Sequence, residues 1–439
     1  MQTRSCKKLG QSVANSRFFR GVAVLASANA AGQFVSLAVA PLLARLYTPH
    51  DFGILAIFIA VMSMVLVGSS LRYELAIPLP RRERDAESLL IIALTINVFS
   101  ALIVLVAVLL FREEVASWTG TPDLANVLWL LPIVILVAGT YKALKFWSIR
   151  SRGYGRIAKT RINQSIANAT AQVLGGLAGL GVWGLVIGQA IGQSVGVRRL
   201  SSNLNLVKFA RELTRRKLRS KALIRRHRRF PAYDVPAALL NTGSVQLPNL
   251  LLAVLFTPVI AGFYYLADRV LARPMTMLSQ AVAQVLYGDM RSLLIAGQAR
   301  RRCSQLLLVM VVVGLPPTLA FFFYAEPIFV WVFGEEWREA GVYAAWLVIG
   351  LLIQFLYSPI SMALMATDDQ STNFMIHLLL SSLKLSALLI AYLFDSEVVA
   401  IIGISAATAL GYGCGIYFVL FRLSRYPTKT RSIEKFESL

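Results

Sequence analysis

Apolar residues run along this chain in long continuous blocks, and polar residues gather in the short stretches between them. A block of about 20 apolar residues is long enough to cross ~30 Å of hydrocarbon as a helix. Continuous runs predict helices, because the strands of a membrane barrel would alternate residue by residue. The pattern predicts spans at 21–47, 52–79, 89–111, 125–147, 162–181, 182–200, 232–256, 259–287, 304–325, 342–367, 372–394 and 398–421. Glycine and polar residues dilute the fifth and sixth. The expected fold class is all-α, a polytopic membrane protein of about twelve transmembrane helices in two six-helix bundles around a central cavity. The bundles are expected at 1–200 and 232–421, with a basic cytoplasmic linker at 201–231 and a basic tail at 422–439.

Composition sharpens that reading. Of the 439 residues, 57% are hydrophobic and 15% charged, against about 45–50% and about 25% in soluble domains. The net charge of +22 becomes intelligible once it is laid on the spans, because Lys and Arg collect in cytoplasmic loops. With both termini inside, the cytoplasmic stretches hold Arg4, Lys7, Lys8, Arg81, Arg82, Arg84, Arg150 to Arg161 and the dense 198–229 loop. They also hold Arg291, Arg300 to Arg302 and the tail from Arg422 to Lys435. The external turns hold Arg45, Arg112 and Arg338, and otherwise acids such as Glu113, Glu114, Glu335, Glu336 and Asp395. The charge reads as a positive-inside bias with attraction to anionic membrane lipids. Nucleic acid is not an expected partner, since no basic segment joins a recognition module.

The N-terminus imitates a signal peptide, with Arg17 and Arg20 before an apolar run containing Ala28-Asn29-Ala30. That run continues to Tyr47, long enough to span and too long for an ordinary signal core. Cys6 and Cys303 fall in segments expected inside the cell and Cys414 within a span, so no external disulfide and no metal site is expected. GxxxxGK[ST], HExxH and GxSxG are absent, and the external turns are too short for the catalytic loop of a membrane glycosyltransferase. No catalytic residue, metal or cofactor is expected.

An internal repeat is visible. Leu42-Leu43-Ala44-Arg45-Leu46-Tyr47-Thr48-Pro49, ending with Phe52-Gly53, aligns without a gap on Leu251-Leu252-Ala253-Val254-Leu255-Phe256-Thr257-Pro258, ending with Ala261-Gly262. Each copy joins an outward-going helix to an inward-going one, so the repeats are parallel and related by an axis along the membrane normal. In the sixth span, Gly184, Gly188, Gly192 and Gly196 form a stripe that lets another helix approach, with Gln189 and Gln193 beside it. Gly175 and Gly179 in the preceding span are read the same way.

The predicted spans enclose Arg72, Glu74, Lys142, Lys145, Asp268, Arg269, Arg273, His377 and Lys384. A mid-span charge costs ~2.5–3.5 kcal/mol on insertion scales and must face a wet cavity, a partner or the interface. Lys142 and Lys145 are close enough to the cytoplasm to snorkel. Arg269 and Arg273 share a helix face that continues through Met277, Gln280 and Gln284. Guanidinium groups followed by amides suit a polar, anionic ligand, because the planar fork of Arg donates two hydrogen bonds to phosphate. The alternative is an ion pair of Arg269 or Arg72 with Glu74 or Asp268. Candidate substrate-binding residues are Arg72, Arg269, Arg273, Lys384, Gln280, Gln284, Lys142 and Lys145, with Glu74 and Asp268 as candidates for ion coupling.

Several motifs carry a resemblance. Leu71-Arg72-Tyr73-Glu74-Leu75-Ala76-Ile77, Phe230-Pro231-Ala232-Tyr233-Asp234-Val235-Pro236-Ala237 and Ala261-Gly262-Phe263-Tyr264 are similar to segments of bacterial polysaccharide-export flippases of the Wzx type. So is Phe333-Gly334-Glu335-Glu336-Trp337 followed by Ala340-Gly341. The resemblance implies the multidrug/oligosaccharidyl-lipid/polysaccharide exporter superfamily, whose two bundles form a V-shaped cavity; the related lipid II flippases have more spans than are expected here. It also implies, as substrate, an undecaprenyl-diphosphate-linked oligosaccharide moved from the cytoplasmic to the periplasmic leaflet of the inner membrane. Lipopolysaccharide, capsule or exopolysaccharide assembly is the implied process, with other polysaccharide assembly proteins as partners. A cation-coupled drug exporter and a membrane-bound polymerase or ligase are the competing expectations.

Overall fold

The computed structural model describes residues 24–202, 217–367 and 369–425. Cys6, Arg17 and Arg20, the middle of the basic linker at 203–216 and the tail beyond Arg425 lie outside the described residues. Within them every regular element is a helix. The first part of the chain forms α1 (Val24–Leu46), α2 (Pro49–Gly68), α3 (Glu83–Trp118), α4 (Leu131–Arg150), α5 (Tyr154–Leu177) and α6 (Val182–Ser194). A surface helix, α7 (Lys217–Arg226), follows. The remainder forms α8 (Val235–Leu255), α9 (Pro258–Ile295), α10 (Ala299–Phe333), α11 (Arg338–Ile360), α12 (Gln370–Leu393) and α13 (Glu397–Ser424).

Each predicted span coincides with one of these helices. Among the described residues, nine helical stretches are long and apolar enough to cross a membrane, and the chain is a multi-pass membrane protein. The spans outside that group are α5, α6 and α9. Helix α5 carries Arg156, Lys159, Arg161 and several amides, α6 is only 13 residues long, and α9 carries Asp268, Arg269, Arg273 and Asp289. The 36 residues of α3 make a rod of about 54 Å at 1.5 Å per residue, far longer than the hydrocarbon layer.

Three expected spans end early, the tenth because α11 stops at Ile360 rather than at residue 367, before a separate short helix at Met362–Ala366. The second was expected to reach residue 79, but α2 stops at Gly68 and the chain turns through Leu71 and Arg72, whose φ angles are 48° and 63°. Non-glycine residues rarely adopt this left-handed backbone, and it cannot continue a helix. The sixth was expected to reach residue 200, but α6 stops at Ser194 and Gly196 takes φ 107° before a short turn of helix at Val197–Ser201.

The described chain divides into two compact units. The first holds the residues up to Leu46 with Val61–Leu239; the second holds Tyr47–Ala60 with the residues from Leu240 onward. In the first unit, Tyr73, Ile77, Leu89, Leu90, Ala143 and Leu223 form a buried cluster. The glycine stripe of α6 lies on α5. A Cβ on Gly188 would come within 2.4 Å of Gln172, and one on Gly192 within 2.7 Å of Asn168. Gln172 Nε2 donates to the Leu185 carbonyl at 3.1 Å and Asn168 Nδ2 to Gln189 Oε1 at 3.1 Å, so both amides tie α5 to α6. Gly179 departs from the expected packing role. It has φ +68° with nothing near its Cβ position, and serves the turn between the two helices.

In the second unit α11 is central, packed against α9, α10 and α13. The repeated turns meet here. A Cβ on Gly53 would lie 1.8 Å from the Pro258 carbonyl oxygen, and one on Gly262 would lie 1.9 Å from the Pro49 carbonyl oxygen. The contact is reciprocal, as a two-fold relation between repeats demands. Both turns cap the next helix alike: Thr48 Oγ1 accepts from Asp51 N at 3.2 Å, and Thr257 Oγ1 from Ile260 N at 3.3 Å.

Candidate functional site

In the first unit Arg72, Glu74 and Lys142 are paired. Ending α2 at Gly68 leaves its last carbonyls without helical partners. Lys142 Nζ on α4 donates to the Leu66 carbonyl at 3.2 Å and forms an ion pair with Glu74 Oε1 at 2.7 Å. Glu74 is fully buried, and Ser70 Oγ donates to its other oxygen. Arg72 Nε lies 3.1 Å from Asp234 Oδ2, at the foot of α8. Arg72 and Glu74 therefore stand in a turn beyond the helix end, outside the continuous helix in which they were expected. The partner of Arg72 is Asp234, neither of the two carboxylates considered for it. Lys145, one turn beyond Lys142, lies within electrostatic reach of Lys142 and of Arg161 on α5.

In the second unit the site is built on α9. Arg269 is 8% exposed and hydrogen-bonds to the Tyr265 side chain one turn before it. Asp268 lies within Coulombic reach of Arg273 and of Lys384 on α12, which is 9% exposed. His377, two turns before Lys384, feels that ammonium as well. Three cations on two helices thus lie around one carboxylate. Pro274 follows Arg273 directly and lacks the N–H that would close the ladder there. Gln280 and Gln284 continue the face as exposed residues. Among the described residues, no group of three or more His, Cys, Asp or Glu could hold a metal ion.

Arg161, Asp234 and Tyr265 were not among the candidates read from the sequence. Asp234 was legible within the Phe230–Ala237 motif, but nothing local assigned it a partner. The sequence pattern puts Arg161 in a loop, whereas α5 starts at Tyr154 and carries it inside a helix.

Fold and charge together define a class: an all-helical, multi-pass membrane protein of two units, with cations embedded among its spans. A family model described as polysaccharide biosynthesis protein matches residues 42–342, and the chain belongs to that family. It is 24% identical over 318 residues to the succinoglycan biosynthesis transport protein ExoT of Rhizobium meliloti (strain 1021), covering 71% of this chain. The chain spans 60% of the length of that relative. It is 23% identical over 352 residues to the lipopolysaccharide biosynthesis protein WzxC of Escherichia coli (strain K12), covering 79% of this chain and 70% of that one. In fold it resembles the lipid II flippase MurJ in an inward closed conformation, with a TM-score of 0.70 and 14% identity over 95% of this chain and 89% of that one.

Proposed function

We propose that this protein turns a polyprenyl-diphosphate-linked oligosaccharide, of the undecaprenyl type, from the cytoplasmic to the periplasmic leaflet of a bacterial inner membrane. The reading makes it a transporter for lipopolysaccharide, capsule or exopolysaccharide assembly, working beside other proteins of that assembly. The observation that carries it is the excess of cations over carboxylates around Asp268. Arg269, Arg273 and Lys384 suit a diphosphate, because guanidinium forks match phosphate oxygens in pairs. Lys145 and Arg161 add positive charge in the first unit, whereas Lys142 and Arg72 are already engaged with Glu74 and Asp234. Gln280 and Gln284 would meet sugar hydroxyls.

Movement would follow alternating access by two six-helix bundles at 1–200 and 232–421, a reading supported by the parallel repeat. The basic loops argue for both chain ends on the cytoplasmic side. Asp268 is the better candidate for a proton or ion exchanged on reset, because Glu74 is held by Lys142 and Ser70. Flipping insensitive to both pH and sodium gradients would remove that role.

The test is flipping in proteoliposomes. A labelled undecaprenyl-diphosphate oligosaccharide is followed by leaflet accessibility in wild type and in Arg269→Ala/Arg273→Ala. Wild type is expected to move the lipid and the folded double variant to lose at least about tenfold in rate, as loss of charge-assisted hydrogen bonds worth ~1.5–3 kcal/mol each implies. Equal rates would clear the arginines. Export of cationic dyes by a wild type that moves no lipid would favour the drug exporter.

A further inference from the structure

The proposed path leaves a basic cavity unused. It lies wholly in the first unit, between the loop that follows α2 and the end of α7, and has a volume of about 610 Å³. Ligand pockets commonly fall within ~300–1,000 Å³. Arg81, Arg82, Arg226 and His227 line it with the apolar Leu79 and Leu223. Asp85 is the only carboxylate on the described lining, and it has contacts of its own.

The walls are held in place. Arg150 at the end of α4 donates from Nη1 to the carbonyls of Pro80 at 2.6 Å and Pro78 at 3.3 Å, and from Nη2 to that of Arg81 at 3.4 Å. One guanidinium therefore ties down the loop backbone from which Arg81 and Arg82 project. Opposite, α7 is anchored by Leu223, which is buried with Tyr73, Ile77, Leu89 and Leu90. Tyr73 Oη adds a 3.5 Å hydrogen bond to the Ile224 carbonyl. His227 is half-buried with its ring 6.2 Å from that of Phe230.

Arg81, Arg82 and Arg226 form no ion pair with a carboxylate among the described residues. Like charges fixed around one hollow repel, and the low-dielectric walls focus their potential into it. An anion relieves that repulsion. Arginine forks select phosphate oxygens. The exposed Leu79 at the rim, 61% accessible, offers apolar contact beside them. A ligand with a phosphate at one end and hydrocarbon at the other satisfies both.

We propose that the Arg81–Arg82–Arg226–His227 cavity binds the phosphate headgroup of an anionic phospholipid in the leaflet at the basic end of the protein. Its location in the cytoplasmic leaflet rests on the orientation proposed above; the binding itself does not depend on flipping. Basic pockets between helices on that side hold lipid headgroups in this manner.

The test uses the purified full chain in neutral detergent, titrated with short-chain phosphatidylglycerol, short-chain phosphatidylcholine and inorganic phosphate. Phosphatidylglycerol is expected to bind saturably and at least about tenfold more weakly to Arg81→Gln/Arg82→Gln/Arg226→Gln, since the charge-assisted hydrogen bonds to its phosphate are lost. Arg300→Gln/Arg301→Gln, which removes two exposed cations elsewhere on the surface, is expected to bind as wild type does. A triple Arg→Lys variant keeps the charge without the fork and should recover part of the affinity, which separates charge loss from misfolding. Burial, and then the neighbouring Arg226, hold the His227 pKa below its ordinary value. With Arg81, Arg82, Arg226 and Asp85 facing it, protonation of His227 adds a cation to the cavity, so binding should tighten at pH below the ordinary imidazole range in wild type but not in His227→Gln. Equal affinity in the triple Gln variant and the control pair would overturn the proposal. Saturation by inorganic phosphate as tight as by phosphatidylglycerol would overturn the lipid as occupant and leave a soluble phosphate in its place.

Discussion

Glu74 is fully buried and its carboxylate meets Lys142 at 2.7 Å. Truncating one partner of such a pair leaves an uncompensated buried charge, at a cost of about 3–5 kcal/mol; replacing both by apolar groups is often near neutral. Lys142→Met is therefore expected to lower the unfolding temperature in detergent sharply, and Lys142→Met/Glu74→Leu to recover most of the loss. Equal loss in both would put the cost in shape rather than charge. Asp369 gives a pH-dependent counterpart outside the spans. Its carboxylate caps α12 by accepting from Thr372 N at 3.3 Å and Thr372 Oγ1 at 2.9 Å, and pairs with Arg422 Nε at 3.1 Å. Burial pushes its pKa up, but the hydrogen bonds from Thr372 and Ser371 and the charge of Arg422 outweigh this and leave it below the ordinary value. A depressed carboxylate stabilises the fold above its unfolded pKa of about 4, and that contribution is lost as the pH falls through the folded value. The gap in unfolding temperature between wild type and Asp369→Asn should accordingly close between about pH 5 and about pH 3. Charges inside spans were legible as residues, but their partners were not. Arg72 and Asp234 are 162 positions apart, a separation about which hydrophobic pattern carries no information.

At the scale of elements, the reciprocal turns are the sharpest constraint. The atoms that a Cβ on Gly53 or Gly262 would strike belong to backbone, so no side chain can swing aside. Gly53→Ala and Gly262→Ala are each expected to destabilise by about 1–3 kcal/mol, as overpacking does. The double variant should cost less than the sum, because both substitutions force apart the same pair of turns. Gly155→Ala in α5, with nothing within 4 Å of the new Cβ, should be neutral or slightly stabilising. Thermal unfolding of the set, with a double-mutant cycle, reads all of these. The Thr-Pro and Gly signals were visible as a repeat because turn chemistry is local. That the two turns touch follows from the pairing of repeats, a property of the assembled fold. The early end of α2 was hidden for a related reason. Leu71 to Ile77 is apolar enough to extend a span, and only the left-handed turn at Leu71 and Arg72 ends it.

At the scale of the molecule, the separation of basic from acidic turns predicts a sidedness that labelling can read. In a cysteine-free background, Glu113→Cys is expected to react with a membrane-impermeant thiol reagent in intact cells. Arg300→Cys should react only after permeabilisation. The reverse pattern would invert the orientation and with it the direction of flipping. Both positions are exposed, so failure to label would not come from burial.

Apolar blocks of spanning length determined the helices, because in hydrocarbon each backbone N–H and C=O must be satisfied within its own segment. The Lys/Arg distribution determined the sidedness expected of them, and the Thr-Pro-Gly echo determined the repeat. Tertiary structure alone decided that Lys142 answers Glu74, that Arg72 answers Asp234, and that Arg273 and Lys384 converge on Asp268. Those pairings depend on which helix faces lie within a few ångströms of each other. Electrostatic interaction falls with distance in space, whereas hydrophobic period is written along the chain.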